Sequence, residues 1–131
     1  MATDPVFAST PNTSACIIPG TADASLTAPT NVATLFTAGA NGSKVEEIRS
    51  MQIASTSAIA VVNVFLYDGS TYYLYDQFTT PITTLSATSE ATPVPHYFDN
   101  LVLKSGWSIR VTVTATASVS KFAMTAHGAD F

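Results

Sequence analysis

Beyond residue 30 the apolar and polar positions alternate with a period of two rather than 3.6, the signature of half-buried strands. The clearest case is Trp107 to Ala115, where Trp107, Ile109, Val111 and Val113 share one face and Ser108, Arg110, Thr112 and Thr114 the other. Ile59 to Tyr67 follows the same pattern: Val62, Val64 and Leu66 alternate with Asn63, Phe65 and Tyr67, so both faces are substantially apolar. Asp68-Gly69-Ser70-Thr71 separates that run from Tyr72 to Phe78. An Asp-Gly pair between β-prone runs predicts a hairpin, because Gly69 accepts the positive φ that such turns require. In the second arm Tyr72, Leu74, Asp76 and Phe78 alternate with Tyr73, Tyr75 and Gln77.

The remaining segments extend this reading. Val32 to Thr37 predicts a strand, and Asn41-Gly42 a turn after it. In Lys44 to Ala54 the spacing of Val45, Ile48 and Ile53 also fits a short helix with Glu46, Glu47 and Arg49 solvated. A strand is preferred, because Val45, Arg49, Met51 and Ile53 share one period-two face and turn signals bracket the run. Thr79 to Pro95, interrupted by Pro81, Pro93 and Pro95, predicts a long loop with Ile82 and Leu85 tucked in. His96 to Leu103 resumes a strand, Lys104-Ser105-Gly106 turns the chain, and Val119 to Gly128 closes it with Phe122, Met124 and Ala126 inward. Roughly seven or eight strands, about ten residues apart, predict an all-β, antiparallel β-sandwich or jelly roll over residues 31–131. Residues 1–30 carry Pro5, Pro11, Pro19 and Pro29 and predict an extended N-terminal arm with at most one short edge strand. Val6, Phe7, Cys16, Ile17 and Ile18 are its only apolar anchors, on its own domain or on a neighbour.

Composition narrows the function. Only 11% of residues are charged and 47% are apolar. Ser and Thr make up roughly a quarter of the chain, so hydroxyls and small side chains are expected over much of the surface, as on a protein covered by copies of itself or by a larger assembly. A net charge of -4 lacks the basic footprint that tracks phosphates, which argues against nucleic acid. The single cysteine, Cys16, forms no intrachain disulfide and reads as a small buried hydrophobe. There is no basic, apolar leader and no run approaching the roughly 18 apolar residues of a membrane span, so a soluble protein made in the cytoplasm is expected, with no membrane partner.

No catalytic constellation is legible. The two histidines, His96 and His127, sit in separate predicted strands, and there is no G-x-S-x-G elbow. Asp68, Asp76, Glu90, Asp99 and Asp130 are scattered without metal-ligand spacing, and Asp68 reads as a turn residue. Gly39 and Gly42 lack the Lys-Ser/Thr of a phosphate loop, and Glu46, Glu47 and Arg49 read as a solvated edge. Trp107, in phase with Ile109 and Val111, reads as core rather than as a sugar-stacking platform. The expectation is a protein without enzymatic activity, cofactor or metal.

Four stretches resemble small virion proteins of tailed bacteriophages: LFTAGANGSKVEEIR (Leu35 to Arg49), VFLYDGSTYYLYDQF (Val64 to Phe78), LVLKSGWSIRVTV (Leu101 to Val113) and HGADF (His127 to Phe131). Several such proteins resemble trimeric β-sandwich decoration, or cement, proteins that sit where capsomers meet. The resemblance implies a homotrimer on the outer surface of the capsid that binds the major capsid protein and stabilises contacts between capsomers. On this reading Phe65, Tyr67, Tyr73 and Tyr75 are surplus apolar surface that packs between subunits, while Val6, Phe7, Ile17 and Ile18 of the arm contact the capsid. A tail, neck or fibre component is the alternative within the virion. A carbohydrate-binding module using Trp107 or the tyrosines is the alternative outside it.

Overall fold

A computed structural model describes residues 7–91 and 93–131. These described residues form eight strands: β1 (Thr10–Ile17), β2 (Ala33–Thr37), β3 (Ser43–Gln52), β4 (Val61–Tyr67), β5 (Tyr72–Thr79), β6 (Val94–Leu103), β7 (Ser108–Val113) and β8 (Phe122–Asp130). Thr116–Ser118 makes one 3₁₀ turn before β8. The strands form two four-stranded sheets, ordered β1-β8-β3-β6 and β2-β7-β4-β5, with every neighbouring pair antiparallel. Every connection crosses between sheets except the β4–β5 hairpin, which stays within the second.

Both sheets feed one buried cluster. Val45, Ile48, Leu101, Leu103, Phe122, Met124 and Ala126 come from the first sheet; Leu35, Phe36, Val62, Val64, Phe78, Ile109, Val111 and Val113 come from the second. The alternation read in β7 and β8 is the alternation observed, and each fully buried Val, Leu, Ile or Phe contributes about 1.5–3 kcal/mol to holding the sheets together. The turns also form as their residues dictate: Gly69 has φ 105° and Gly42 φ 89°. Asp68 Oδ1 accepts the N–H groups of Thr71 at 2.7 Å and Ser70 at 2.9 Å, which lowers the Asp68 carboxyl pKa.

Two expectations about phase and packing are corrected. In β3 the register shifts between Val45 and Glu47, so Glu46 is accommodated as a bulge and the inward face becomes Val45, Ile48, Ser50 and Gln52. Arg49, Met51 and Ile53 therefore point outward, and the helix-like Val45–Ile48 spacing is the mark of a bulge inside a strand. Ile82 is exposed rather than tucked in. What holds its loop is polar: Gln52 Nε2 donates to the Thr83 carbonyl at 2.9 Å, Thr56 Oγ1 donates to the Pro81 carbonyl at 2.6 Å, and Thr80 Oγ1 meets Ser118 Oγ at 2.9 Å. The hydroxyls are thus not only a surface feature, since Ser43, Ser50, Thr56, Thr80, Ser108, Thr112 and Ser118 are all buried.

All four sheet edges are blunted. β1 carries Pro11, which offers no N–H. β2 has five residues and a register shift between Thr34 and Phe36. In β5 a bulge falls at Tyr75, and the N–H of Gln77, two residues on, donates to Asp76 Oδ1 at 2.8 Å. β6 carries Pro95 and sets Phe98, Asp99 and Asn100 against Glu46 alone. Bulges, prolines and inward-turned charges are the devices that keep an edge from templating a further strand.

The loop from β1 to β2 is organised by Asp23. Its carboxylate accepts the N–H groups of Thr30 (2.7 Å), Asn31 (3.0 Å) and Ser25 (3.0 Å), while its own N–H donates to the Val113 carbonyl at 2.8 Å. These N–H groups, Asn31 foremost and then Thr30 and Ser25, hold the carboxyl down at about 2. A depressed carboxyl stabilises the fold fully above its unfolded value of about 3.9, and the contribution is lost as pH falls through about 2. NMR titration should give Asp23 a midpoint near 2, with the Thr30 and Asn31 amide signals moving at that same midpoint. A midpoint near 4 would remove the carboxylate from this role. A backbone constraint gives a second expectation: a Cβ on Gly128 would run into the Lys44 carbonyl oxygen, whereas one on Gly69 meets nothing. Gly128→Ala should therefore lower unfolding free energy in urea by about 1–3 kcal/mol through overpacking. Gly69→Ala should cost only the left-handed backbone term of about 1–2 kcal/mol.

Candidate functional site

The hairpin aromatics do not form one patch; the β5 bulge sends them to two sides of the second sheet. Pairing sets Tyr72 opposite Tyr67, Tyr73 opposite Leu66, and Leu74 opposite Phe65. Leu66 belongs to the core side, with Val62 and Val64, while Phe65 and Tyr67 belong to the outer side.

On the core side Tyr73 and Tyr75 close the gap between β5 and β6. Tyr73 stacks on Trp107 with centroids 6.2 Å apart, and Tyr75 meets Phe98 at 5.6 Å. Next along, His96 Nδ1 lies 3.3 Å from Asp76 Oδ2 and its ring sits 4.8 Å from Phe78. Tyr73 and Tyr75 stay exposed on their far faces, beside an open trough of about 380 Å³ lined by Leu74 to Gln77. Trp107 packs on the core as its phase predicts, with Tyr73 over it, so its ring is not a free platform.

On the outer side Phe65 is 0% exposed, which corrects its reading as surplus surface. Tyr72 approaches it edge-on at 5.8 Å and stacks on Tyr67 at 4.3 Å. Arg110, the cross-strand partner of Phe65 on β7, lays its guanidinium 4.1 Å above the Tyr67 ring and donates from Nη1 to Tyr72 Oη at 3.2 Å. Residues 65, 67, 72 and 110 are therefore one packed unit. The sequence signal available for Arg110 was its outward phase in β7, next to a hairpin with apolar residues on both faces.

The four arm residues also separate. Val6 lies outside the described residues. Phe7 is 77% exposed and Ile17 51% exposed, whereas Ile18 is 1% exposed and belongs to the core, so Ile18 presents no contact surface. Thr10–Ile17 is an edge strand of the first sheet, paired along its length with β8. Cys16 is half-buried, and burial pushes its thiol up to about 11, well away from a reactive thiolate.

The ends of the chain are clamped at Asp130. Its carboxylate accepts hydrogen bonds from Ser43 Oγ and from Asn12 Nδ2 (2.8 Å), and Gly39 N–H donates to Ser43 Oγ at 2.8 Å. Ser43 foremost, then Asn12, lowers the Asp130 pKa. The cluster joins β1, β3, β8 and the β2–β3 turn. Among the described residues no group of three or more His, Cys, Asp and Glu side chains is placed to hold a metal, and no helix is long and apolar enough to cross a membrane.

The buried ring yields an expectation opposite to that of a surface contact. Phe65→Ala should lower unfolding free energy by about 3–5 kcal/mol, and Phe65→Lys should not fold, because it buries an unpaired charge. Tyr75→Ala, at a half-exposed ring, should cost less than Phe65→Ala in the same urea titration. Comparison with known proteins adds no identity: no family model, curated protein or solved structure matches this chain.

Proposed function

We propose that the two sheets form a jelly roll and that the protein is a tailed-phage capsid decoration protein, a homotrimer bound to the outer surface of the shell. The observation that carries this reading is the strand order, β1-β8-β3-β6 over β2-β7-β4-β5. With eight strands and six of seven connections crossing between sheets, it has the form of two interlocked Greek keys, an architecture used by viral capsid domains and by lectins. The resemblance of Leu35 to Arg49, Val64 to Phe78, Leu101 to Val113 and His127 to Phe131 to phage virion proteins points to the first of these. Low charge and blunted edges support a protein that is covered by neighbours through its faces rather than extended by strand addition.

In this role Tyr67, on the outer side of the second sheet with the buried Phe65, and Tyr73 and Tyr75, at the gap between β5 and β6, supply subunit contacts on two separate surfaces. Phe7 and Ile17, exposed on the N-terminal stretch, reach the major capsid protein. Many equivalent sites on a shell multiply a modest affinity, and a clamp that prefers the assembled lattice stabilises it by mass action. A carbohydrate-binding module is the second reading. It is favoured by Tyr97, which is 69% exposed on β6. Electron microscopy of particles labelled on this chain should give density over the shell where capsomers meet, and native mass spectrometry should give a trimer. Density confined to tail or portal would overturn the decoration role in favour of a tail or neck component. Glycan-array binding abolished by Tyr97→Ala would favour the module.

A further inference from the structure

We propose that the outer face of the second sheet is a docking site for a carboxylate side chain of a partner protein, with Arg110 as its anchor. The guanidinium is held on three sides before any partner arrives. The Tyr67 ring lies 4.1 Å beneath it, Nη1 donates to Tyr72 Oη at 3.2 Å, and Nε donates to Ser108 Oγ at 3.3 Å. Tyr67 is itself fixed, donating from Oη to the Gly69 carbonyl at 2.9 Å, and Phe65 closes the floor. Of the five N–H donors of a guanidinium, two are thus engaged, and both acceptors are neutral hydroxyls.

Lys44 pairs with Glu46 at 3.2 Å and Arg49 with Glu47 at 3.2 Å, yet among the described residues no carboxylate lies within ion-pair distance of Arg110. Lys104 and Lys121 also lack an ion pair, but among the described residues Arg110 is the cation laid against aromatic rings. The chain has a net charge of -4, so carboxylates are in excess and this cation is still without one. A second, independent feature of the same face agrees. One row along, Asn63 and Thr112 are both 0% exposed. Gln77 Nε2 donates to Asn63 Oδ1 at 2.7 Å, while Asn63 Nδ2 and Thr112 Oγ1 have no partner among the described residues. The row beside Arg110 therefore holds buried polar groups whose hydrogen-bonding capacity is unmet among the described residues, and the call for an acceptor at the surface comes from the guanidinium, three of whose five N–H groups have no acceptor there. One guanidinium matches the single charge and planar fork of a carboxylate, whereas a doubly charged phosphate calls for a second cation that the face lacks. Tyrosine and arginine around a desolvated centre also make the composition of an interface hot spot.

The site rests on the geometry of this face and stands independently of any virion role. Its test is an NMR titration of the full chain with N-acetylglutamate amide, with N-acetylglutamine amide as the uncharged control and inorganic phosphate as the competing anion. The glutamate probe should shift the Arg110 Nε–H signal and the Phe65 and Tyr72 amides saturably, and the glutamine probe should not. Arg110→Gln should weaken the response about tenfold, the equivalent of one charge-assisted hydrogen bond. Tyr72→Phe, which removes the hydroxyl but keeps the ring, should weaken it less and serves if Arg110→Gln does not fold. Equal shifts with both amides, a response unchanged in these variants, or tighter binding of phosphate would overturn the assignment.

Discussion

The first sheet cannot close until β8 is in place, and most of the structure follows from that constraint. Among the described residues β1 pairs only with β8, so this strand has no partner until β8 arrives. β8 in turn fits between β1 and β3 only because Gly128 lets the Lys44 carbonyl approach where any side chain would block it. The Asp130 carboxylate then ties Ser43 and Asn12 together, one from each flanking strand. Joining residues so far apart in sequence carries a loop-closure cost before any contact repays it, and the repayment comes from Phe122, Met124 and Ala126 entering the core together.

The second constraint is the set of bulges. Each inserts an extra residue in one strand and so changes which side chains face the core. The bulge in β3 turns Arg49 and Met51 out, and the one in β5 sends Tyr73 and Tyr75 to the gap between the sheets while Tyr72 and Leu74 go to the outer face. The same irregularities, with Pro11 and Pro95, close the edges. With the edges closed in this way, the outer face of the second sheet is where the buried Phe65, the Tyr67 and Tyr72 rings and the Arg110 guanidinium coincide.

Much of the fold was legible from residue order. Val62, Val64 and Leu66, the Asp-Gly turn, Trp107 to Val113, and Phe122, Met124 and Ala126 all lie as strict alternation predicts, because the extra residues fall in the partner strands β2, β3 and β5 and leave the phase of these segments intact, while the turn has residues suited to it. Val45 to Ile53 was misread from the point where the phase slips. Alternation counted straight through a bulge assigns everything after it to the wrong face. Ile82 and Ile18 show the other limit, since both are isoleucines in proline-rich stretches and only one is buried.

The sequence by itself determined the all-β class, the turns at Asn41-Gly42 and Asp68-Gly69, and the inward faces of the uninterrupted strands, because these depend on local backbone preference and on a period of two. Only the tertiary structure decided that Phe65 is buried, that Tyr67 and Tyr73 lie on opposite sides of one sheet, and that Arg110 comes to rest over Tyr67. Those outcomes depend on the register between strands β4, β5 and β7, which is set by contacts between residues far apart in sequence, Phe65 with Arg110 and Val62 with Val113 among them. Apolar character alone cannot distinguish a ring that covers a neighbour from one that is itself covered.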